Sequence, residues 1–127
     1  YSKRDWGHAQ DYVVAMWKML QQKKPKDYVI ASGKQYSVKY FVNLICHILK
    51  IKIKWKGKGI NEKAYLNDKV IISIDKRYFR PTEVDSLLGD TRKAKKELKW
   101  KPNYNIHSLA KDMVAQEIKI INDKKKK

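Results

Sequence analysis

The sequence has 127 residues, 43% of them hydrophobic, which is enough for one compact domain with a buried core and too little for two. Its single cysteine, Cys46, excludes a disulfide framework within the chain and a four-cysteine zinc site. Lysine interrupts every apolar run before it reaches the roughly 18 residues that a membrane-spanning helix needs. The opening Tyr1–Asp5 carries neither a Met nor a secretory signal. We therefore expect a soluble, cytoplasmic protein without a membrane partner, whose sequence begins within a longer chain.

The net charge is +17, so a nucleic acid is the first partner to consider. The distribution of the charge argues against it, with 13 basic against 3 acidic residues over 1–60 and 17 against 10 over 61–127. Of the 30 basic residues 26 are lysine, whereas specific readers of bases and phosphates favour the bidentate guanidinium of arginine. We expect most of these lysines to form a solvated surface.

The first half of the chain predicts two helices and two strands. Apolar residues at three- and four-residue spacing mark the helices, and Ser37 is a good N-cap for the second one. In chain order the predictions are a helix from just after His8 to about Gln22, a buried parallel strand over 28–31, a helix from the N-cap Ser37 to about Leu49 and a half-exposed strand over 51–55.

The second half predicts a polar loop over 56–69, a strand over 70–74, an irregular stretch around Pro81, a helix from Asp90 or Thr91 to about Leu98, and a final helix over about 106–121. The sequence therefore predicts an α/β fold of short strands and about four helices. Residues 1–122 form its one domain, and the basic residues 123–127 are expected to be a disordered tail.

Common catalytic and cofactor motifs are missing. The pair Gly57-x-Gly59 lacks the third glycine of a dinucleotide-binding loop, because Glu62 stands at that position and no helix is predicted to follow. Tyr65 and Lys69 have the spacing of a dehydrogenase proton-transfer pair, but they lie in the predicted polar loop, which favours chance.

Cys46 lies among apolar residues of a predicted helix and is expected to be a core residue. The three histidines are too far apart in sequence to have the spacing of metal ligands, and we predict no metal site.

Two polar segments suggest ligand binding. The segment Lys3–His8 places Lys3 and Arg4 just before a helix N-terminus, an arrangement that suits a bound anion. The alternative is that the segment is a turn in which Asp5 caps the helix. Arg80 and Glu83 lie three residues apart on an irregular segment, where an arginine fork suits a pyrophosphate and a carboxylate suits ribose hydroxyls. The alternative there is a surface salt bridge beside a proline turn. Together the segments fit a nucleotide diphosphate better than a polymer.

The same segments are similar to the motifs of one family. Lys3–Trp17, Tyr78–Asp85 with Leu87–Asp90, and Leu98–Pro102 resemble signature stretches in the C-terminal part of GDP-mannose 4,6-dehydratases, and the match runs in order over about residues 3–118. The family belongs to the extended short-chain dehydrogenase/reductase superfamily. The resemblance implies that this chain is the C-terminal, GDP-sugar-binding part of such a fold, with the N-terminal Rossmann half missing.

The resemblance also implies an activity. Family members are lyases that convert GDP-mannose to GDP-4-keto-6-deoxymannose and water through a hydride shuttle on NADP, on the route to GDP-fucose and related deoxysugars. The family's NADP loop and its catalytic Thr, Glu and Tyr-x-x-x-Lys pair lie upstream and match no position here, so we expect no catalytic or cofactor-binding residue in this chain and no turnover by the chain alone. A homo-oligomer, dimer or tetramer, is expected for the full-length protein.

By the same resemblance, Arg4 and Arg80 would hold the diphosphate and Glu83 the ribose. Lys3 would lie beside this site, and Trp6 would either line the pocket or pack in the core. The alternatives are a stand-alone nucleotide-binding remnant without catalysis and, less favoured, a basic nucleic-acid-binding module. Lys39 departs from the family pattern, since an arginine is common at its position.

Overall fold

A computed structural model describes residues 1–80, 82 and 84–126 of the chain as an α/β fold of four α-helices and five short strands. In chain order these are β1 (Lys3–Asp5), α1 (Ala9–Leu20), β2 (Gln35–Ser37), α2 (Val38–Ile48), β3 (Lys54–Lys56), β4 (Lys63–Leu66), β5 (Lys69–Ser73), α3 (Arg92–Glu97) and α4 (Ile106–Lys125). Two 3-10 turns, Gly59–Asn61 and Lys76–Tyr78, lie before β4 and after β5.

The strands form two separate antiparallel sheets. In the first sheet β1 pairs with β2, with Arg4 opposite Tyr36. In the second sheet β3, β4 and β5 follow one another as a meander. Asn67 and Asp68 join β4 to β5 at positive φ values of 46° and 64°, the backbone that a two-residue hairpin needs and that Asn and Asp tolerate best among non-glycine residues.

Side-chain caps define where the helices begin. The ring Nδ1 of His8 accepts a hydrogen bond from the Gln10 backbone N–H and caps α1. The Ser37 hydroxyl accepts from the Tyr40 N–H and caps α2, as its position in the sequence predicts. Helix α4 begins at a capping box made by Asn105 and Ser108 and continues through 123–125, part of the segment expected to be disordered.

The core lies where α1 meets α3 and the segment that follows it. Trp100 is the largest fully buried side chain and packs with Ala15, Ala94 and Leu98. The Trp100 indole N–H donates to the Asp11 carbonyl at 2.9 Å, so the buried polar atom of the ring is satisfied. The small alanines let the helices approach the indole closely.

Three sequence predictions about the strands are wrong. Residues 28–31 form no strand, because no other strand of the described chain runs beside them and a strand exists only through hydrogen bonds to a neighbour. The strand predicted at 51–55 is instead β3, since its pairing with β4 begins only at Lys54. The predicted loop 56–69 contains β4, which pairs on both sides.

The sequence does not predict strands β1 and β2, because each has only three residues, too short a run for an alternating pattern to mark a strand. None of the helices formed by the described residues has the length and apolar composition to cross a membrane.

Candidate functional site

A cleft of about 560 Å³ lies between strand β1 and the segment that follows β5, and it contains both arginines of the predicted site. One wall comes from β1 and the start of α2, and the other from the segment that follows β5. The lining residues are Ser2, Arg4, Val38, Ile74, Asp75, Tyr78, Phe79, Arg80 and Asp85. The fold thus brings together the two polar segments, which are more than 70 residues apart in sequence.

Strand β1 holds the first arginine in the cleft. Arg4 lies on β1 opposite Tyr36, and its guanidinium Nη1 donates to the Lys3 carbonyl at 2.7 Å and to the Val84 carbonyl at 2.8 Å. The other edge of β1 contacts the same distant segment, because the Lys3 N–H donates to the Asp85 carbonyl at 2.8 Å and Lys3 forms a parallel bridge with Ser86. Arg4 therefore both lines the cleft and fixes the segment that closes it.

The second wall is shaped by a capped turn. The Asp75 carboxylate accepts from the Arg77 N–H at 2.9 Å and so caps the 3-10 turn that leads to Tyr78. The Arg77 guanidinium also pairs with Asp75 at 2.7 Å, and these hydrogen bonds lower the pKa of the Asp75 carboxyl. Because Arg77 neutralises Asp75, the carboxylate offsets little of the positive charge that Arg4 and Arg80 bring to the cleft.

Two exposed aromatic rings precede Arg80 at the cleft. Tyr78 is 77% exposed and Phe79 is 48% exposed, although both are large apolar side chains. Arginine forks beside accessible aromatic faces are the combination that binds a phosphate-bearing ligand with a flat ring.

The remaining predicted site residues lie at different distances from the cleft. Lys3 is exposed on β1 beside Arg4 but does not line the cleft. Trp6 lies outside it, with its ring stacked on Phe41 at 4.4 Å between centroids and its indole N–H donating to the Tyr36 carbonyl at 2.9 Å. Glu83 lies outside the described residues. Trp6 therefore packs on Phe41 and does not line this cleft, and its role in ligand binding stays a prediction.

Asp5 does not cap the first helix, so that interpretation of the first motif is wrong. The Asp5 carboxylate accepts hydrogen bonds from the backbone N–H groups of Ser32 at 2.7 Å and Gly33 at 2.8 Å, while His8 provides the cap. Gly33 has a φ of 76°, a conformation that glycine adopts without strain. Asp5 therefore fixes the turn that leads into β2, the strand beside Arg4.

Sequence reasoning misses several cleft residues. Ser2, Val38 and Ile74 have no chemical signature, and only their place on the two walls brings them to the cleft. Tyr78 and Asp85 belong to the second family motif but have no role predicted from the sequence, although an aromatic residue next to an arginine in an irregular segment is a usable signal.

Neither the glycine pair Gly57/Gly59 nor the pair Tyr65/Lys69 has the geometry of a nicotinamide dinucleotide site. Gly59 lies in a 3-10 turn that leads into β4, so no helix N-terminus follows the two glycines to receive a pyrophosphate. Tyr65 and Lys69 lie on the two strands of the β4–β5 hairpin and do not share a helix face. No cluster of potential metal ligands occurs within the part of the chain that the structure describes.

Comparison with known proteins identifies close relatives over most of the chain. A family model described as GDP-mannose 4,6 dehydratase matches residues 1–113. A Dictyostelium discoideum protein named GDP-mannose 4,6 dehydratase is 50% identical over 124 residues, which cover 96% of this chain and 35% of that protein. The Homo sapiens protein of the same name is 47% identical over 123 residues, which cover 94% of this chain and 33% of that protein. The chain thus spans about a third of the length of the curated relatives it matches.

A solved structure shares the fold. The Bordetella bronchiseptica enzyme WbmG, crystallised in complex with NAD and UDP, superposes with a TM-score of 0.67 at 18% identity, over 94% of this chain and 33% of that one. At this identity the likeness shows the fold alone, and it confirms the predicted α/β arrangement of short strands and four helices.

Proposed function

The chain belongs to the GDP-mannose 4,6-dehydratase family, and from that premise we propose that it is the C-terminal, GDP-sugar-binding part of a GDP-mannose 4,6-dehydratase. The observation that carries the proposal is the meeting of Arg4 and Arg80 in one cleft. They come from two motifs far apart in sequence, in a chain that otherwise uses lysine for nearly all of its positive charge.

The proposed binding mode follows from the chemistry of the lining. The guanidinium groups of Arg4 and Arg80 offer planar, bidentate donors to the diphosphate of GDP-mannose. The exposed rings of Tyr78 and Phe79 offer stacking surfaces for the guanine. Glu83, outside the described residues, is assigned to the ribose hydroxyls, and exposed Lys3 adds positive charge beside the cleft.

The whole protein is proposed to be a cytoplasmic lyase that converts GDP-mannose to GDP-4-keto-6-deoxymannose and water, for the synthesis of GDP-fucose and related deoxysugars. NADP would supply the hydride acceptor and donor, and it is assigned to residues outside this chain because the glycine pair here does not form a dinucleotide-binding loop. The catalytic Thr, Glu, Tyr and Lys are assigned there as well. Assembly into a homo-oligomer is proposed for the full-length protein.

A binding measurement tests the role of the cleft. We expect Arg80→Lys in the full-length protein to raise the Kd for GDP-mannose about tenfold, which corresponds to about 1.4 kcal/mol, because an ammonium cannot reproduce the two parallel hydrogen bonds of the fork. Isothermal titration calorimetry gives the Kd directly. Arg92→Lys is the matched control, since Arg92 pairs with Asp90 on the surface and does not line the cleft.

Equal affinity of the Arg80→Lys variant and the parent would contradict the assignment of the cleft.

A separate assay tests whether the catalytic residues lie outside this chain. The purified 127-residue chain should form no product from GDP-mannose and NADP. Sustained product formation by that chain would show that its own residues carry out the catalysis.

A further inference from the structure

A partly buried polar cluster outside the cleft connects its two walls. The Lys39 ammonium donates to the Glu62 carboxylate at 2.5 Å and to the Tyr1 hydroxyl at 3.1 Å, and that hydroxyl donates to the same carboxylate at 3.0 Å. The Lys39 side chain is 23% exposed and the Glu62 side chain 10% exposed. Most lysine and glutamate side chains of small proteins are far more exposed, so this ion pair is an exception that calls for a physical reason.

Aromatic rings hold the ammonium in one place. The Lys39 Nζ lies 4.9 Å from the ring centroid of Tyr1 and 4.7 Å from that of Trp55. The Trp55 indole N–H donates to the Asn43 side-chain carbonyl at 2.8 Å, which ties β3 to α2 beside the ion pair. The mutual hydrogen bond raises the pKa of Lys39 and lowers the pKa of Glu62, so both groups are charged at neutral pH.

Each member of the ion pair is next to one wall of the cleft. Lys39 directly follows Val38, a lining residue whose N–H donates to the carbonyl of Ser2, another lining residue. Glu62 directly precedes Lys63, which pairs with Ser73, and Ser73 is followed by Ile74 of the opposite wall. A short, direct connection therefore runs from one wall through the ion pair to the other.

The connection matters because one wall includes strand β1 of the first sheet and the other wall follows strand β5 of the second sheet. Among the described residues the β1–β2 sheet and the β3–β4–β5 sheet share no strand. Their relative position therefore depends on the backbone hydrogen bonds between Lys3 and the segment 85–87 and on side-chain contacts such as the ion pair. Arg4 lies on the first sheet, and Arg80 follows the last strand of the second. A shift of one sheet against the other would change the spacing of the two guanidinium groups, and such misplacements weaken binding even when every contacting residue is intact.

We propose that the Lys39–Glu62 ion pair is a positioning device for the GDP-sugar cleft, which sets the spacing of Arg4 and Arg80 without touching the ligand. This inference rests on the proposed function of the cleft and adds two residues to it. The charge of Lys39, rather than its length, is the property required, since the ammonium lies between two rings and a carboxylate. An arginine at the same position keeps the charge and can also lie between the rings.

The test measures GDP-mannose affinity and steady-state turnover in the full-length protein. Lys39→Met and Glu62→Gln should each raise the Kd and the KM about fivefold, with kcat within about twofold of the parent, because the ligand is lost more easily while the reacting groups are unchanged. The Kd of Lys39→Arg should stay within about twofold of the parent value. The Lys39→Met/Glu62→Gln double variant should have a Kd no higher than that of the single variant with the lower affinity, because the two groups act as one pair.

Asp90→Asn is the matched control, because it removes the carboxylate of another ion pair, that with Arg92, away from the cleft. If either single variant fails to fold, Tyr1→Phe makes a smaller change to the same cluster, and it should raise the Kd about twofold by removing one hydrogen bond from each partner. A Lys39→Met or Glu62→Gln variant could fold with lowered thermal stability and still have the parent Kd. That result would show that the ion pair is purely structural, and it would overturn this inference without affecting the proposed function. Failure of the parent to bind GDP-mannose would overturn the proposed function, and this inference with it.

Discussion

Asp11 provides the sharpest test of how the fold holds together. It is 2% exposed in the first turn of α1, where its carboxylate accepts the Asn103 N–H through Oδ1 and the Tyr104 N–H through Oδ2, each at 3.0 Å. Its own backbone carbonyl accepts the Trp100 indole N–H. One residue thus ties α1 to the segment that leads from the core into α4.

The cost of removing the carboxylate follows from these contacts. Asp11→Ala leaves two partly buried N–H groups without an acceptor, and each such group costs about 1–3 kcal/mol. We therefore expect a loss of about 2–5 kcal/mol in the free energy of unfolding, a large part of the stability of an ordinary domain. Asp11→Asn keeps one acceptor oxygen but presents an amide donor to the other N–H, so about 1–3 kcal/mol should be lost.

Urea unfolding followed by tryptophan fluorescence measures both variants, since Trp100 lies against this contact. Asp123→Ala, an exposed position on α4, is the control and should change stability by less than about 0.5 kcal/mol. The expected order of stability is parent, Asp11→Asn, Asp11→Ala. Equal stability of Asp11→Ala and the parent would refute the reasoning, because it would mean that the two N–H groups find other partners at no cost.

Two further changes have definite expected outcomes. Gly89→Ala should lower the free energy of unfolding by about 1–3 kcal/mol, because a Cβ there would lie 2.4 Å from the Ala31 Cβ and force the packing apart. A urea titration measures this loss of stability. An unchanged free energy of unfolding would mean that the segment around Gly89 moves away from Ala31 at no cost. The hydrogen bonds from Arg92 lower the pKa of Asp90 to about 2 in the folded protein. The stabilisation from this pair is therefore fully present above the carboxyl's unfolded pKa of about 3.9, and it is lost as the pH falls toward 2. The stability difference between the parent and Asp90→Asn should therefore shrink between pH 4 and pH 2 in acid-unfolding experiments, and a difference that stays constant over that range would contradict the assignment.

The helices could be predicted because their signals are local. The apolar spacing of α1 and α2 and the hydroxyl of Ser37 act within a few residues, so the order of side chains along the chain specifies these elements and their starts. The short strands could not be predicted in the same way. Residues 63–66 become β4 because two other strands lie beside them, and residues 28–31 form no strand because none does.

The sequence by itself determined the family, since long motifs with fixed spacing identify it, and it also determined that Arg4 and Arg80 carry charge of the kind a diphosphate needs. Only the tertiary structure decided which motif residues face the cleft and which hold the fold. Asp5 and Asp11 belong to the same motif as Arg4, yet their carboxylates bind backbone N–H groups of segments 27 to 93 residues away. The Lys39–Glu62 pair could not be predicted from the sequence for the same reason. The sequence shows which side chains are charged, but only the tertiary structure decides which of them lie close enough to pair.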